Sequence, residues 1–372
     1  MRRKDVVAVI QPFVPTYRVG LFDAIERHLS PHGLRLEVWH DQPTGIVAAR
    51  GNATSGPWSV PITQHRLTVR RRNVTYRNVK RGAREVLAVV HGLASSNLET
   101  YGLARDPDVR LMLWGHGRNF TSARNGLDDR LEGWLCRRAS HLFAYTEVGA
   151  QHLTSAGIEP SKITVVRNST DTELLRRRQR ECTTAEVDAL RDRLELAGKR
   201  VVLFVGAFDK PKRLPFLLES VDLMHAADPS LVLLMAGAGP LDDFVAAAAA
   251  ARPYVQNLGR LDAAALAQLS HLTDLLVMPG RVGLVAVDSL ALGVPLATTR
   301  HAFHAPEIEY LSEDTSLWSA DEPAAYAEAV TTLLADPERR SAMVRASLVA
   351  GDELSAERSG QRFVSGILQG LA

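Results

Sequence analysis

The chain has 372 residues, 46% hydrophobic and 23% charged, with a formal net charge of +2, which excludes a disordered or fibrous protein. At roughly 150 residues per domain the length points to two domains with a ligand between them. The small net charge sums two unlike halves, since residues 1–190 hold 28 Lys+Arg against 19 Asp+Glu and residues 191–372 hold 16 against 23.

The first apolar run, Val6 to Ile10, reads as a buried strand, and Gln11 and Pro12 cut it too short for an export signal. Val19 to Leu29 has helical periodicity. Strands follow at Leu36–Trp39, Val86–Val90, Val109–Trp114, Leu142–Tyr145 and Ile163–Val166, with helices at Leu127–Ala139 and Val148–Ala156. An Arg-rich segment from Leu174 to Glu186 reads as a linker followed by a charged helix. A second series of strands then runs Val201–Val205, Leu231–Ala236, Tyr254–Asn257, Leu275–Met278, Pro295–Thr298 and Ser316–Trp318. Helices are expected near Leu214–Ala226, Leu241–Ala251, Ala263–His271, Leu284–Leu292 and Pro323–Ala335, and a helical tail covers Glu338 to Leu371. This alternation predicts an α/β fold of two doubly wound parallel sheets.

No stretch approaches the roughly 18 apolar residues of a membrane span. Cys136 and Cys182 match no metal spacing and suit reduced thiols. The expected location is cytoplasmic, with any membrane contact peripheral, on the inner face of the plasma membrane.

The segment Pro279 to Pro295 follows a strand, opens with Gly280 and Gly283 and runs into a helix. Free N–H groups and a helix dipole would meet there, as an anion requires. Asp288 lies one turn beyond Leu284, where it can accept from ribose hydroxyls. Spacing alone leaves this open between an anion site and an ordinary strand-to-helix turn.

The same segment resembles the signature of the family-four retaining glycosyltransferases of GT-B fold. Val205 to Arg213 resembles that family's strand, Gly-Arg-Leu and Lys-Gly element. Ala236 to Leu241 resembles its Gly-x-Gly-Pro turn, and Leu258 to Leu261 its base-recognition loop. Arg167 to Asp171 resembles the Asn-Gly-x-Asp that closes the first domain. Trp114-Gly115-His116-Gly117 is similar to the histidine-bearing strand end of polysaccharide- and glycolipid-assembly members. The resemblance implies two facing Rossmann-like domains: an acceptor domain at 1–185, a nucleotide-sugar donor domain at 186–355, and a helix at 356–372 packing back on the first.

It also implies a retaining hexosyltransferase that needs no cofactor or metal. His116 and Lys212 would be catalytic. The nucleotide sugar would meet Arg18, Gly20, Gly206, Lys210, Arg213, Gly259, Arg260, Leu261, Gly280, Gly283, Leu284, Val285 and Asp288. Two positions depart from the pattern. Gly280 stands where the first of two acids usually touches the donor sugar, and Ala207 where an arginine usually meets the diphosphate, leaving Lys210 or Arg213 to compensate. The acceptor would be a glycan, a glycolipid or a small molecule.

Between Arg66 and Arg84 eight basic residues occur with no acid, interleaved with Leu67, Val69, Val74, Tyr76 and Val79. Such a tract suits an anionic membrane as well as plain solvation; nucleic acid is not expected, for no binding motif accompanies it. A nucleotide-sugar epimerase and a non-catalytic binding subunit are the alternative functions.

Overall fold

The computed structural model describes residues 3–43, 53–69, 72–116 and 126–372. They form two compact units, Met1–Asp171 with Ala356–Ala372, and Thr172–Ser355. Gly117, Arg70 and Arg71 lie outside the described residues.

In the first unit the chain forms β1 (Arg3–Gln11), β2 (Val14–Pro15), α1 (Val19–Leu29), β3 (Arg35–His40), β4 (Ala53–Thr54), β5 (Ser59–Pro61), β6 (Gln64–Val69) and β7 (Arg72–Arg77). It continues through α2 (Lys80–Glu85), β8 (Val86–Gly92), α3 (Leu98–Leu103), β9 (Leu111–Gly115), α4 (Gly126–Arg138), β10 (His141–Ala144), α5 (Glu147–Ser155) and β11 (Ile163–Val165). Seven strands make a parallel sheet in the order β11-β10-β9-β8-β1-β3-β5. β1 is an interior strand, paired on both sides by β8 and β3, and successive side chains point to opposite faces. Val7 and Val9 join Phe22 and Ile25 of α1 in one core. Val6, Ala8 and Ile10 join Ala83, Leu103 and Leu135 in the other. Both faces are covered, which is why this strand reads as unbroken apolar sequence.

The basic tract is a β6–β7 antiparallel hairpin followed by α2. Its cations find acids from outside the tract. Arg77 is buried and donates to Glu99 at 2.5 Å. Arg84 and Lys80 meet Asp106 at 2.8 and 3.7 Å, and Arg81 meets Glu85 at 3.6 Å. Among the described residues Arg77, Lys80, Arg81 and Arg84 of the expected basic surface are therefore engaged in ion pairs. Leu67 and Tyr76 remain 59% and 43% exposed on the hairpin.

The second unit begins earlier than the sequence suggests. Residues expected as a linker form α6 (Thr172–Glu181), followed by α7 (Thr184–Arg193) with a Thr183/Glu186 capping box. The unit continues with β12 (Arg200–Val205), α8 (Leu214–Ala227), β13 (Leu231–Ala236), α9 (Asp242–Ala251), β14 (Val255–Gly259), α10 (Ala263–Ser270), β15 (Leu275–Met278), α11 (Val285–Leu292), β16 (Leu296–Thr299), β17 (Ser316–Ser319), α12 (Pro323–Leu334) and α13 (Pro337–Gly351). Polar side chains anchor α6. Arg176 donates to the carbonyls of Ala291 and Leu348 at 3.0 Å, and Gln179 to that of Leu292 at 3.0 Å and to the Ser270 hydroxyl at 2.8 Å. Such bonds leave no apolar periodicity, so the segment reads as a linker. The sheet is again parallel, ordered β14-β13-β12-β15-β16-β17.

After α13 the chain breaks at residues 352–355 and α14 (Ala356–Leu371) belongs to the first unit, packed on α1. Phe363 and Ile367 are fully buried there. Each such side chain contributes about 1.5–3 kcal/mol, so α14 is part of the first unit's core.

Candidate functional site

In the second unit the chain runs from β12 through β13 to β14 on one side and from β15 through β16 to β17 on the other. The connections after β12 and β15 therefore diverge, and a crevice opens beyond their carboxyl ends, where open α/β sheets bind ligands. Gly206 follows β12 and Gly280 follows β15, so both lie at this switch point.

The strand ends approach one another as bare backbone. A Cβ on Gly237 would stand 1.9 Å from the Gly206 carbonyl oxygen, and one on Gly239 would stand 2.5 Å from that of Phe208. Gly237 N–H donates to the Gly259 carbonyl at 2.8 Å, with Gly259 in the left-handed region at φ 64°. Arg260 is exposed and Leu261 half-buried just beyond.

After Gly206 the chain makes a 3-10 turn, Lys210–Lys212, closed by Arg213 at φ 55°. Lys212 Nζ donates to the Arg281 carbonyl at 2.6 Å, while Arg281 N–H donates to the Pro211 carbonyl at 2.9 Å. Burial pushes the Lys212 ammonium down to about 8; Asp209 opposes this, Arg281 adds to it, and Glu307 opposes it. The amine stays a cation at neutral pH.

A second brace comes from His304. Its Nδ1 accepts from Val282 N–H at 3.1 Å and its Nε2 donates to the Thr299 carbonyl at 3.0 Å. Those bonds define a neutral ring, and burial lowers its pKa accordingly. The brace holds Gly280 to Gly283 ahead of α11, whose first turn has no side-chain cap. Its amides and dipole favour an anion. Asp288 lies half-buried on α11. Arg213 pairs with Asp321, which also accepts from Thr299 Oγ1 at 2.8 Å. Lys210 is exposed.

In the first unit the corresponding divergence lies between β1 and β8. Arg18 immediately precedes α1 and is 9% exposed. It donates to Gln11 Oε1 at 2.5 Å and to the Tyr145 hydroxyl at 2.9 Å, with its guanidinium 4.4 Å from the Trp114 ring. Gly20 sits in the first turn of α1, where a Cβ would stand 2.9 Å from an Asp171 carboxylate oxygen. His116 follows β9, exposed, with its ring 4.5 Å from that of Tyr145. Desolvation by its surroundings and the Arg18 charge push its imidazole down to about 4.

The expected residues thus fall into two groups. Gly206, Lys212, Gly280, Gly283, Leu284 and Val285 meet at the second unit's switch point; Arg18, Gly20 and His116 belong to the first unit. Sequence reading did not single out Gln11, Tyr145, Thr299, His304 or Asp321. Tyr145 and Thr299 stand at strand carboxyl ends, the one signal that could have found them. Among the described residues no group of three or more His, Cys, Asp or Glu side chains is placed to hold a metal, and no helix is long and apolar enough to cross a membrane.

Residues 199–336 match the family Glycosyl transferases group 1. The second unit resembles a group 1 glycosyl transferase. That match covers the whole switch point from Gly206 to Asp321. Along nearly its full length the chain is also similar to solved structures. They include Anabaena HepE in complex with UDP, at 16% identity and TM-score 0.68 over 99% of this chain and 100% of that one. Sucrose-phosphate synthase from Thermosynechococcus elongatus gives 15% and 0.69 over 98% and 99%. A provisionally assigned UDP-N-acetylglucosamine 2-epimerase from Listeria monocytogenes gives 15% and 0.63 over 98% and 96%. At such identities the likeness establishes the fold, GT-B. No curated protein sequence matches the chain significantly.

Proposed function

We propose that this protein is a retaining, metal-independent glycosyltransferase of family four that moves a hexose from a nucleoside-diphosphate sugar to a glycan, glycolipid or small-molecule acceptor. The observation that carries this reading is the placement of Lys212 beside Gly206, Gly280 and the uncapped start of α11 at one switch point. A diphosphate seated there meets a cation and a helix dipole together. Anabaena HepE, similar in fold, is solved with UDP-glucose, which supports a UDP-sugar as the first donor to try.

Transfer breaks the anomeric C–O bond, and the nucleoside diphosphate leaves with the electron pair. The acceptor oxygen bonds the anomeric carbon on the same face and passes its proton to the departing phosphate oxygen. The main task is to stabilise negative charge on the leaving group. Lys212 and the α11 amides perform it without a divalent ion. His116, uncharged at neutral pH, offers a hydrogen bond to a sugar hydroxyl without adding charge to the transition state.

The fold likeness to the Listeria protein keeps epimerisation as the rival. It needs acid/base side chains at the sugar, whereas both His304 ring nitrogens are committed to backbone groups. The site is proposed to work at the cytoplasmic face of a membrane, with the β6–β7 hairpin, through Leu67 and Tyr76, as the contact with anionic lipid.

Incubation with labelled UDP-sugars, with and without EDTA, tests the reading. Sugar transferred to an acceptor with its anomeric configuration kept, undiminished by EDTA, supports it. Isomerised donor means an epimerase, and tight UDP binding without turnover means a binding subunit. If no nucleoside diphosphate raises the melting temperature, the reading fails.

A further inference from the structure

Two arginines are buried in the first unit, and they are treated differently. Arg77, 4% exposed, meets the Glu99 carboxylate at 2.5 Å. Among the described residues Arg18, 9% exposed, is partnered by uncharged groups: the Gln11 amide oxygen, the Tyr145 hydroxyl and the Trp114 and Tyr17 rings, with the neutral His116 imidazole nearby. A buried charge without a counter-charge costs several kcal/mol. That cost is borne at Arg18 and avoided at Arg77.

The hydrogen bonding is incomplete in the same sense. A guanidinium has five N–H donors, and Gln11, Tyr145 and Tyr17 do not take them all. Among the described residues the Arg18 Nε has no partner, and neither does the buried Nε1 of Trp114. Both of these atoms are donors that an acceptor would satisfy. The cluster adjoins the first turn of α1, where the Asp171 carboxylate already lies beside Gly20. His116, exposed beside Tyr145, marks the side open to solvent.

We infer that Arg18, with Trp114 and Tyr145, binds an oxyanion, a phosphate or carboxylate carried by the acceptor. This rests on the glycosyltransferase reading for the word acceptor, and on the first unit alone for the anion. The donor diphosphate has its own cation and helix terminus at Lys212 and α11 in the second unit. Bidentate recognition of a planar or tetrahedral oxyanion is what a guanidinium does best. Desolvation is the main cause that keeps His116 neutral, with the Arg18 charge adding to it; a bound anion would offset the Arg18 part, and the His116 pKa would rise on binding.

The test uses the full-length protein saturated with UDP, titrated with inorganic phosphate and, separately, with acetate, and read by melting temperature. The expected result is a further rise with one of the two, the phosphate or acetate arm naming the acceptor group, and at least a tenfold weaker response in Arg18→Gln. In the wild type the Arg18 Nε–H resonance should move with the same anion, a readout that does not depend on the variant folding. No rise with either anion, an unmoved Arg18 resonance, or an unchanged response in Arg18→Gln overturns the inference. A response that disappears once UDP is saturating also overturns it, because the donor diphosphate then fills the site. UDP without any effect of its own counts against the glycosyltransferase reading instead, and leaves the anion response to be read separately.

Discussion

A Cβ on Gly280 would stand 2.5 Å from both the carbonyl carbon and the carbonyl oxygen of Lys212, and 2.6 Å from the oxygen of Pro211. The acid that related enzymes are expected to carry at this place is therefore not simply missing. The backbone of the Lys210–Lys212 turn occupies its space, and that packing aims Lys212 Nζ at the Arg281 carbonyl.

Restoring the acid should consequently fail. Gly280→Glu is expected to lower stability by about 1–3 kcal/mol, the range for overpacking, and to weaken UDP binding because the Lys212 turn must shift. Melting temperature and UDP titration check this; a variant with full stability and tighter UDP-sugar binding would show that the turn yields freely.

Lys212 carries opposite pH dependences for folding and for binding. Its folded pKa of about 8 lies below the ordinary 10.5, so between these values the unfolded chain holds a proton that the folded chain has lost. This group therefore adds stability to the free protein as pH rises through that window. Affinity for UDP should fall over the same rise, as the cation facing the diphosphate disappears. Isothermal titration across about pH 7 to 9.5 should show an inflection near 8, with proton uptake on binding, and Lys212→Arg should remove the inflection. Lys212→Ala should reduce transfer by about a hundredfold to a thousandfold.

His116 is held neutral, with its pKa lowered to about 4 from 6.5. Folding disfavours its protonated form, so its contribution to stability is present above 6.5 and is lost as pH falls toward 4. The rate profile should show no inflection from this residue near its ordinary value. His116→Ala should cost about tenfold in transfer, one hydrogen bond, and His116→Asn should recover part of it. An inflection near 6.5 that vanishes in His116→Ala would mean that the imidazole titrates as an ordinary exposed group.

The first unit should depend on its last helix. Phe363 stacks on Phe143 with ring centroids 4.2 Å apart and meets Trp114 edge-on at 5.0 Å. Phe363→Ala is expected to destabilise by about 3–5 kcal/mol and to loosen the Trp114 ring under Arg18. Deleting residues 356–372 should expose the first unit to proteolysis while leaving the second resistant; equal resistance of both units would count against this packing.

Local signals carried much of this protein. Val6 to Ile10, Val201 to Val205 and Leu231 to Ala236 read as buried strands because hydrophobic periodicity depends only on near neighbours. Gly280 stood out locally as well, after a strand and before a helix, whereas Gly206, Gly237 and Lys212 stood out through the resemblance to a known family; the structure brings them to the switch point of the second unit. Polar partnerships were a different matter. Arg77, Lys80 and Arg84 looked like a charged surface until folding brought Glu99 and Asp106 to them. Arg176 and Gln179 looked like a linker until carbonyls more than ninety positions away accepted their hydrogen bonds. The collision that keeps position 280 bare and the uncompensated charge of Arg18 likewise had no local trace. Apolar burial leaves a period along the chain; ion pairs, hydrogen bonds and close backbone contacts join residues whose separation carries no period, and only the tertiary structure decides them.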